Sequence, residues 1–355
     1  MKLGEVCDNI SVTFDKTKQQ VVLVNTSDVL NGKVTNHVLV NNKGLKGQFK
    51  KTFQKDDILY SEIRPKNKRF AFIDFNANDY VASTKLMVIR ANKKVLPQYL
   101  YQVLKSEEVI NQLQALAESR SGTFPQITFS ELAQINVRIP KLDEQKEIAN
   151  FLKLFDDKIE NNKKINHHLE QMALSIFKEE FSKKEVTNKL GDFFPVITGK
   201  KDANIAKGGE YPFFSCSQNI SYTDNYSFDA RAILLAGNGD FNVKIFNGKF
   251  EAYQRTYVLI PNNDEHFGYL YYAIKYFLND ITSGHRGSVI KFITKGQIEH
   301  FDIFMTSNKE KLFLFNSFVE NIANNNKEID KLSNIRDTLL PKLLSGETSV
   351  NQAAK

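Results

Sequence analysis

A chain of 355 residues with 41% hydrophobic and 25% charged side chains is globular and long enough for two or three domains. No apolar run approaches the roughly 18 residues of a membrane span, the opening MKLGEVCDNISV lacks a secretory pattern, and Cys7 and Cys216 alone cannot build a disulfide framework or a cysteine zinc cluster, so the expected compartment is the cytoplasm. The net charge of +7 is uneven: residues 1–138 carry 20 Lys/Arg against 13 Asp/Glu, 139–184 carry nine of each, 185–306 carry 12 against 13, and 307–355 carry seven against six. A phosphate backbone suits the basic first segment, although a solvated lysine-rich surface explains the charge equally well.

In chain order, apolar strand-like runs fall at 21–24, 71–75 and 86–89, followed by a helical stretch over about 97–117. From about 142 to 182 the pattern is a coiled-coil seam. Ile148, Phe155, Asn162, Leu169 and Ile176 recur every seven residues, with Leu152, Ile159, Asn166 and Ala173 between them. At 1.5 Å per residue this helix is about 60 Å long. Strand runs return at 232–236 and 257–260, with a helix over about 266–279. A second seam follows through Leu312, Phe315, Val319, Ile322, Asn326, Ile329, Leu332 and Leu339, and Pro341 and Gly346 are expected to end it.

The two halves are copies of one plan. LMVI at 86–89 lines up with YVLI at 257–260, YLYQVLK at 99–105 with YLYYAIK at 269–275, and Ile127-Thr128 with Ile293-Thr294, at offsets of 171, 170 and 166. The long helices match at 164, where Asn162 and Asn326 occupy equivalent seam positions that can fix register. Neither helix hides its seam alone, so the two are expected to pack antiparallel. The fold class is therefore α+β, with globular domains at 1–138 and 185–306, long helices at 139–184 and 307–347, and a tail at 348–355.

Catalytic patterns are missing. There is no P-loop, Gly237-Asn238-Gly239 lacks the third glycine of a dinucleotide loop, and no HExxH, HxxxH or CxxC spacing offers a metal site. A duplicated chain without a duplicated polar triad reads as a two-site binding device.

The run IPKLDEQKEIANFLKLFDDKIENNKKINHHLEQMALSIFKEEF at 139–181 resembles the central helix of type I restriction–modification specificity subunits, and IRDTLLPKLLSGE at 335–347 resembles the end of their second helix. DDILYSEIRP, SGTFPQIT, AYQRTYVLIP and the opening KLGEVCDNI are similar to further segments of the family. The resemblance implies two target-recognition domains, each reading half of a split DNA sequence. It implies helices that set the gap and bind two methyltransferase subunits, no catalysis in this chain, and no cofactor of its own. S-adenosylmethionine would come with the methyltransferase, and ATP and magnesium with a restriction subunit where one joins. The chain is short for the family. A protein-only scaffold with degenerate domains and an autonomous methyltransferase or nuclease are the competing readings.

Base edges are read by Arg, Lys, Asn, Gln, Ser and Thr on loops between strands. In the first half these are Ser61, Arg64, Lys66, Lys68 and Arg69 in a basic turn, Ser83 and Thr84 before the next strand, and Ser121, Thr123 and Gln126 in a loop. In the second half they are Asn238 and Gly239 in a turn comparable to 62–64, Tyr253, Gln254 and Arg255 at the position of 82–84, and His285, Arg286 and Ser288 opposite 121–123.

Overall fold

The computed structural model describes residues 1–43, 47–119, 125–283 and 291–354. It divides into two compact units, Met1–Ile159 with Asp330–Lys355, and Glu160–Ile329. The division cuts through both long helices, so each unit is a globular part plus half of the helix pair. The expected boundaries at 138, 184 and 306 instead separate helix from globular part.

The first unit contains β1 (Cys7–Asn9), β2 (Gln20–Val24), β3 (Val29–Leu30), β4 (Lys33–Val34), β5 (Leu39–Asn41), β6 (Phe49–Lys51), β7 (Ile58–Ser61), β8 (Phe70–Phe72), β9 (Tyr80–Ser83) and β10 (Leu86–Ala91). An antiparallel sheet of order β1-β10-β7-β8 lies at its centre. Successive strand residues face opposite ways. Ile58, Tyr60, Met87 and Ile89 join the core under the helices, while Leu59, Leu86 and Val88 join a second core with Val22, Val24 and Ala82 of the sheet β5-β2-β9-β6. Burial on both faces is why LMVI is an unbroken apolar run.

The expected helix over 97–117 is two helices, α1 (Pro97–Leu104) and α2 (Glu107–Glu118). Ser106 separates them, its Oγ accepting the Val109 N–H at 3.4 Å as an N-cap. After α3 (Phe129–Leu132) comes the long helix α4 (Leu142–Glu180).

The second unit holds β11 (Asn188–Lys189), β12 (Val196–Thr198), β13 (Tyr211–Phe214), β14 (Ser221–Thr223), β15 (Phe228–Ala236), β16 (Val243–Ala252), β17 (Thr256–Leu259) and β18 (Asp302–Ile303). Its helices are α5 (Phe267–Tyr276), α6 (Leu278–Ser283), α7 (Lys295–Glu299) and α8 (Lys309–Ser345). Here too the expected single helix is a pair. The main sheet has six strands, β12-β17-β15-β16-β13-β14. Its strand β16 runs unbroken for ten residues where the first unit is interrupted between β8 and β9, so the first unit has two four-stranded sheets and a β3-β4 pair, where the second has this six-stranded sheet and a β11-β18 pair. The two-sided burial repeats: Ile233, Leu235, Tyr257 and Leu259 face the helices, and Ala232, Leu234 and Val258 face Phe214, Phe228 and Phe250.

The repeat holds bond by bond. The Tyr99 hydroxyl donates to the Arg138 carbonyl at 3.0 Å, and Tyr269 donates to Phe304 at 2.7 Å. Leu3 N–H donates to Ile135, and Leu190 to Phe301, both at 2.9 Å. Gly4 and Gly191 pack where an added Cβ would meet Ala133 at 2.8 Å and Glu299 at 2.9 Å.

Within the first unit, Ile148 and Leu152 of α4 share a core with Leu340 and Leu343 of α8. Within the second, Ala173 and Phe177 of α4 meet Leu312, Phe315 and Val319 of α8. In each unit an early part of one helix faces a late part of the other, the expected antiparallel pairing. Ile148, Ile159, Leu312 and Val319 are buried, whereas Phe155, Leu169, Ile322 and Ile329 are only half-buried. Asn162 and Asn326 do not play equal parts. Asn162 is buried and donates to Glu328 Oε2 at 2.8 Å, while Asn326 is exposed and accepts from Asn166 Nδ2 at 2.8 Å.

Pro341 does not end α8. The helix passes through it to Ser345 and stops at Gly346, whose φ of +81° is the left-handed conformation of a helix end. An interior proline costs about 3 kcal/mol, and burial of Leu340 and Leu343 on either side offsets it.

Candidate nucleic-acid interface

Three chain segments converge at one end of the central sheet of the first unit: the turn after β7, the residues entering β10, and the link into α3. Glu62 N–H donates to Lys85 O at 3.0 Å, Ile127 N–H to Glu62 O at 2.8 Å, and Arg64 N–H to Pro125 O at 3.1 Å. The second unit repeats all three bonds: Gly237 to Arg255 at 2.8 Å, Ile293 to Gly237 at 3.0 Å, and Gly239 to Lys291 at 3.0 Å. The expected match between turns 62–64 and 237–239 is therefore present residue by residue. Arg64 and Gly239 even share a left-handed backbone, at φ +45° and +67°. Glycine adopts this conformation freely and arginine does not. An exposed arginine thus stands at the turn's apex at a conformational cost.

The same bonds correct the register of the third segment. Leu86 pairs with Ser61 and Thr256 with Ala236, so the offset between β10 and β17 is 170 and not 171. Arg255 therefore corresponds to Lys85, Gln254 to Thr84 and Tyr253 to Ser83. Carrying the offset of the neighbouring YLY match into this strand identifies Lys85 from the sequence.

The candidate side chains divide by placement. Ser61 and Ser83 are buried rather than exposed on a loop, and the Ser61 hydroxyl donates to Ile63 O at 3.3 Å. Lys68 forms an ion pair with Glu107, and the half-buried Arg69 donates to Thr26 O at 2.9 Å. These two cations hold the turn to its own unit. Arg64 and Lys66 are exposed, while Thr84 and Gln126 are half-buried. Gln126 Oε1 accepts from Lys85 Nζ at 3.0 Å, and Glu62 Oε2 lies 3.8 Å from the same ammonium. Lys51 braces this corner, donating to the Thr84 and Leu86 carbonyls at 3.2 and 2.8 Å. Burial lowers the Lys51 amine below its ordinary value against the pull of Glu62, and Lys85 lowers it further. Sequence reading missed Lys51, Glu62 and Lys85.

In the second unit Gln254 and Arg255 are exposed, Asn238 and Tyr253 are half-buried, and Gly239 is exposed. Gln254 Nε2 donates to Asp202 Oδ2 at 3.4 Å. Thr198, Gly237, Gln254, Arg255, Tyr257 and Ile293 line a cleft of about 280 Å³. A Cβ on Gly237 would meet Arg255 O at 2.5 Å and the Tyr257 ring at 2.8 Å, so only glycine allows this closeness. Ser121, Thr123, His285, Arg286 and Ser288 lie outside the described residues.

Each unit thus carries, on the same backbone frame, a basic side chain with amide or hydroxyl neighbours at a sheet end. That is the chemistry of base-edge and phosphate recognition. Among the described residues no helix is long and apolar enough to cross a membrane.

The family model for the type I restriction modification DNA specificity domain matches residues 1–171 and again 183–334. The chain is 30% identical to the Type I restriction enzyme HindI specificity subunit of Haemophilus influenzae, covering 97% of this chain and 98% of that one. That alignment spans 454 positions against 355 residues here, so the relative carries segments this chain lacks. It is 26% identical to the Type I restriction enzyme MjaIX specificity subunit of Methanocaldococcus jannaschii over 88% of this chain and 82% of the relative. The crystal structure of the type-I restriction-modification system S subunit from M. genitalium shares the fold, with a TM-score of 0.60 at 18% identity over 97% of this chain and 95% of that one. With the family match falling once on each half of a chain already duplicated bond by bond, this protein belongs to the type I restriction–modification DNA specificity subunits.

Proposed function

We propose that this chain reads a bipartite DNA sequence and catalyses nothing itself. Each unit contacts one half-site, through Arg64, Lys66, Thr84 and Gln126 in the first and through Asn238, Gly239, Tyr253, Gln254 and Arg255 in the second. The observation that carries this reading is the duplicated frame, which holds a lysine or arginine at the same position beside the same turn. The paired helices set the unread gap and dock two methyltransferase subunits. Leu154 and Met172 on α4 and Phe313 on α8 are exposed apolar side chains suited to such docking. The methyl donor S-adenosylmethionine belongs to those subunits, and ATP and magnesium to a restriction subunit where one joins. The assembly works on chromosomal DNA in the cytoplasm.

Selection from a randomised duplex library by the full chain assembled with its methyltransferase subunit tests this reading. Two short conserved blocks separated by a fixed unspecified gap are expected. A single continuous block defeats the two-reader arrangement, and binding without sequence preference favours a scaffold. Methyl transfer from labelled S-adenosylmethionine to DNA by the chain alone overturns the non-catalytic assignment.

A further inference from the structure

The basic residues at the matched position have different surroundings in the two units. Glu62 corresponds to Gly237 and Gln126 to Phe292, because the turn and the link are tied by equivalent bonds and bridges. Lys85 therefore stands between a carboxylate and an amide, while at Arg255 the position of that carboxylate is held by Gly237 and the position of that amide by Phe292. The Lys85 side chain is about half exposed, at 49%, and Glu62 is 23% exposed, so both reach the surface together. The Lys85 ammonium is aimed by Gln126 Oε1, and its charge is partly cancelled by Glu62. A phosphate clamp needs neither property. Readout of a base edge needs direction and a neighbouring acceptor.

Resting on the reading above, we propose that Lys85 and Glu62 together recognise one G·C pair in the half-site of the first unit. In the major groove guanine presents N7 and O6 acceptors, and the cytosine N4 amine is a donor beside them. An ammonium donor next to a carboxylate acceptor is the complement of that edge. Lys51 is a positioning residue: it holds the carbonyls on both sides of Lys85 and so fixes where the lysine stem leaves the strand. The second unit has Gly237 at the position of Glu62, so Arg255 meets its matched base pair without that carboxylate and the two half-sites need not be alike.

The experiment is library selection with the full chain assembled with its methyltransferase subunit, comparing Lys85→Ala, Glu62→Gln and Arg255→Ala with the parent. Lys85→Ala and Glu62→Gln are expected to relax the same G·C position in one half by about tenfold to a hundredfold, as for loss of a directed base contact. Arg255→Ala is expected to relax the other half only. Uniform weakening of Lys85→Ala across all sequences, with a shallower salt dependence, identifies a phosphate contact and overturns the proposal. A parent motif with two blocks but no G·C pair that responds to Lys85 also overturns it. A parent without two blocks overturns the underlying two-reader function instead.

Discussion

At the scale of single residues, Cys7 and Cys216 report on two different surroundings. Burial, helped by Asp8, pushes the Cys7 thiol up to about 12. At neutral pH the buried thiol stays protonated, so maleimide is expected to leave Cys7 unmodified in the native chain. Because the folded state favours the neutral thiol, this residue's contribution is complete below the ordinary thiol range and is lost as pH rises toward about 12. Cys216 is half-exposed, and its Sγ donates to the Arg255 carbonyl at 3.4 Å. Labelling is expected to stop at one thiol per chain, counted by intact mass, and a specific duplex is expected to slow it. Two rapidly labelled thiols would contradict the burial of Cys7. Gly237→Ala is expected to destabilise the second unit and abolish selectivity in its half-site, because the new Cβ has no room. Chemical denaturation and library selection check both effects. What sequence could not reveal here was direction. Lys68 and Arg69 belong to the same basic turn as Arg64, yet Lys68 pairs with Glu107 at the surface of its own unit and Arg69 bonds to the Thr26 carbonyl.

At the scale of elements, α1, α4 and α8 are tied together in the first unit by one ionic cluster. Lys105 donates to Asp156 at 2.8 Å, and Arg336 donates to the other Asp156 oxygen at 2.8 Å. Burial pushes the Asp156 carboxyl up, but Lys105 and Arg336 together outweigh it and hold the group below the usual carboxylate range. Its stabilising effect is therefore present above the ordinary carboxylate pKa and is lost as pH falls through the depressed value. Asp156→Asn is expected to cost about 3 kcal/mol, because it leaves two cations facing each other in a half-buried site. A urea midpoint that moves little at pH 7 would contradict this. Leu343→Ala, at a fully buried position, is expected to cost about 2–5 kcal/mol by cavity formation. The seam's heptads were legible from apolar spacing. The breaks between α1 and α2 and between α5 and α6 were not, because the apolar pattern continues across them.

At the scale of the whole molecule, charge is the distinguishing feature. The excess sits in residues 1–138, while 185–306 carry one more acid than base. Each phosphate contact removed lowers the slope of log affinity against log salt by about 0.9. Arg64→Ala with Lys66→Ala is expected to flatten that slope by up to about two units with little change in the selected sequence. Titration of duplex binding at several salt concentrations measures it, and an unchanged slope would show that these exposed cations do not touch phosphate.

Duplication, the α+β class and the two seams were set by the amino-acid sequence alone, because self-similarity and apolar periodicity are properties of order along the chain. The sheet-end frame needed the folded protein. Bonds such as Glu62 to Lys85 and Ile127 to Glu62 join residues far apart in sequence. Correcting a register error of one residue, invisible in an apolar run buried on both faces, moves the counterpart of Arg255 from Thr84 to the basic Lys85. Tertiary hydrogen bonding decided which cations face outward, and with them which side chains are available to read DNA.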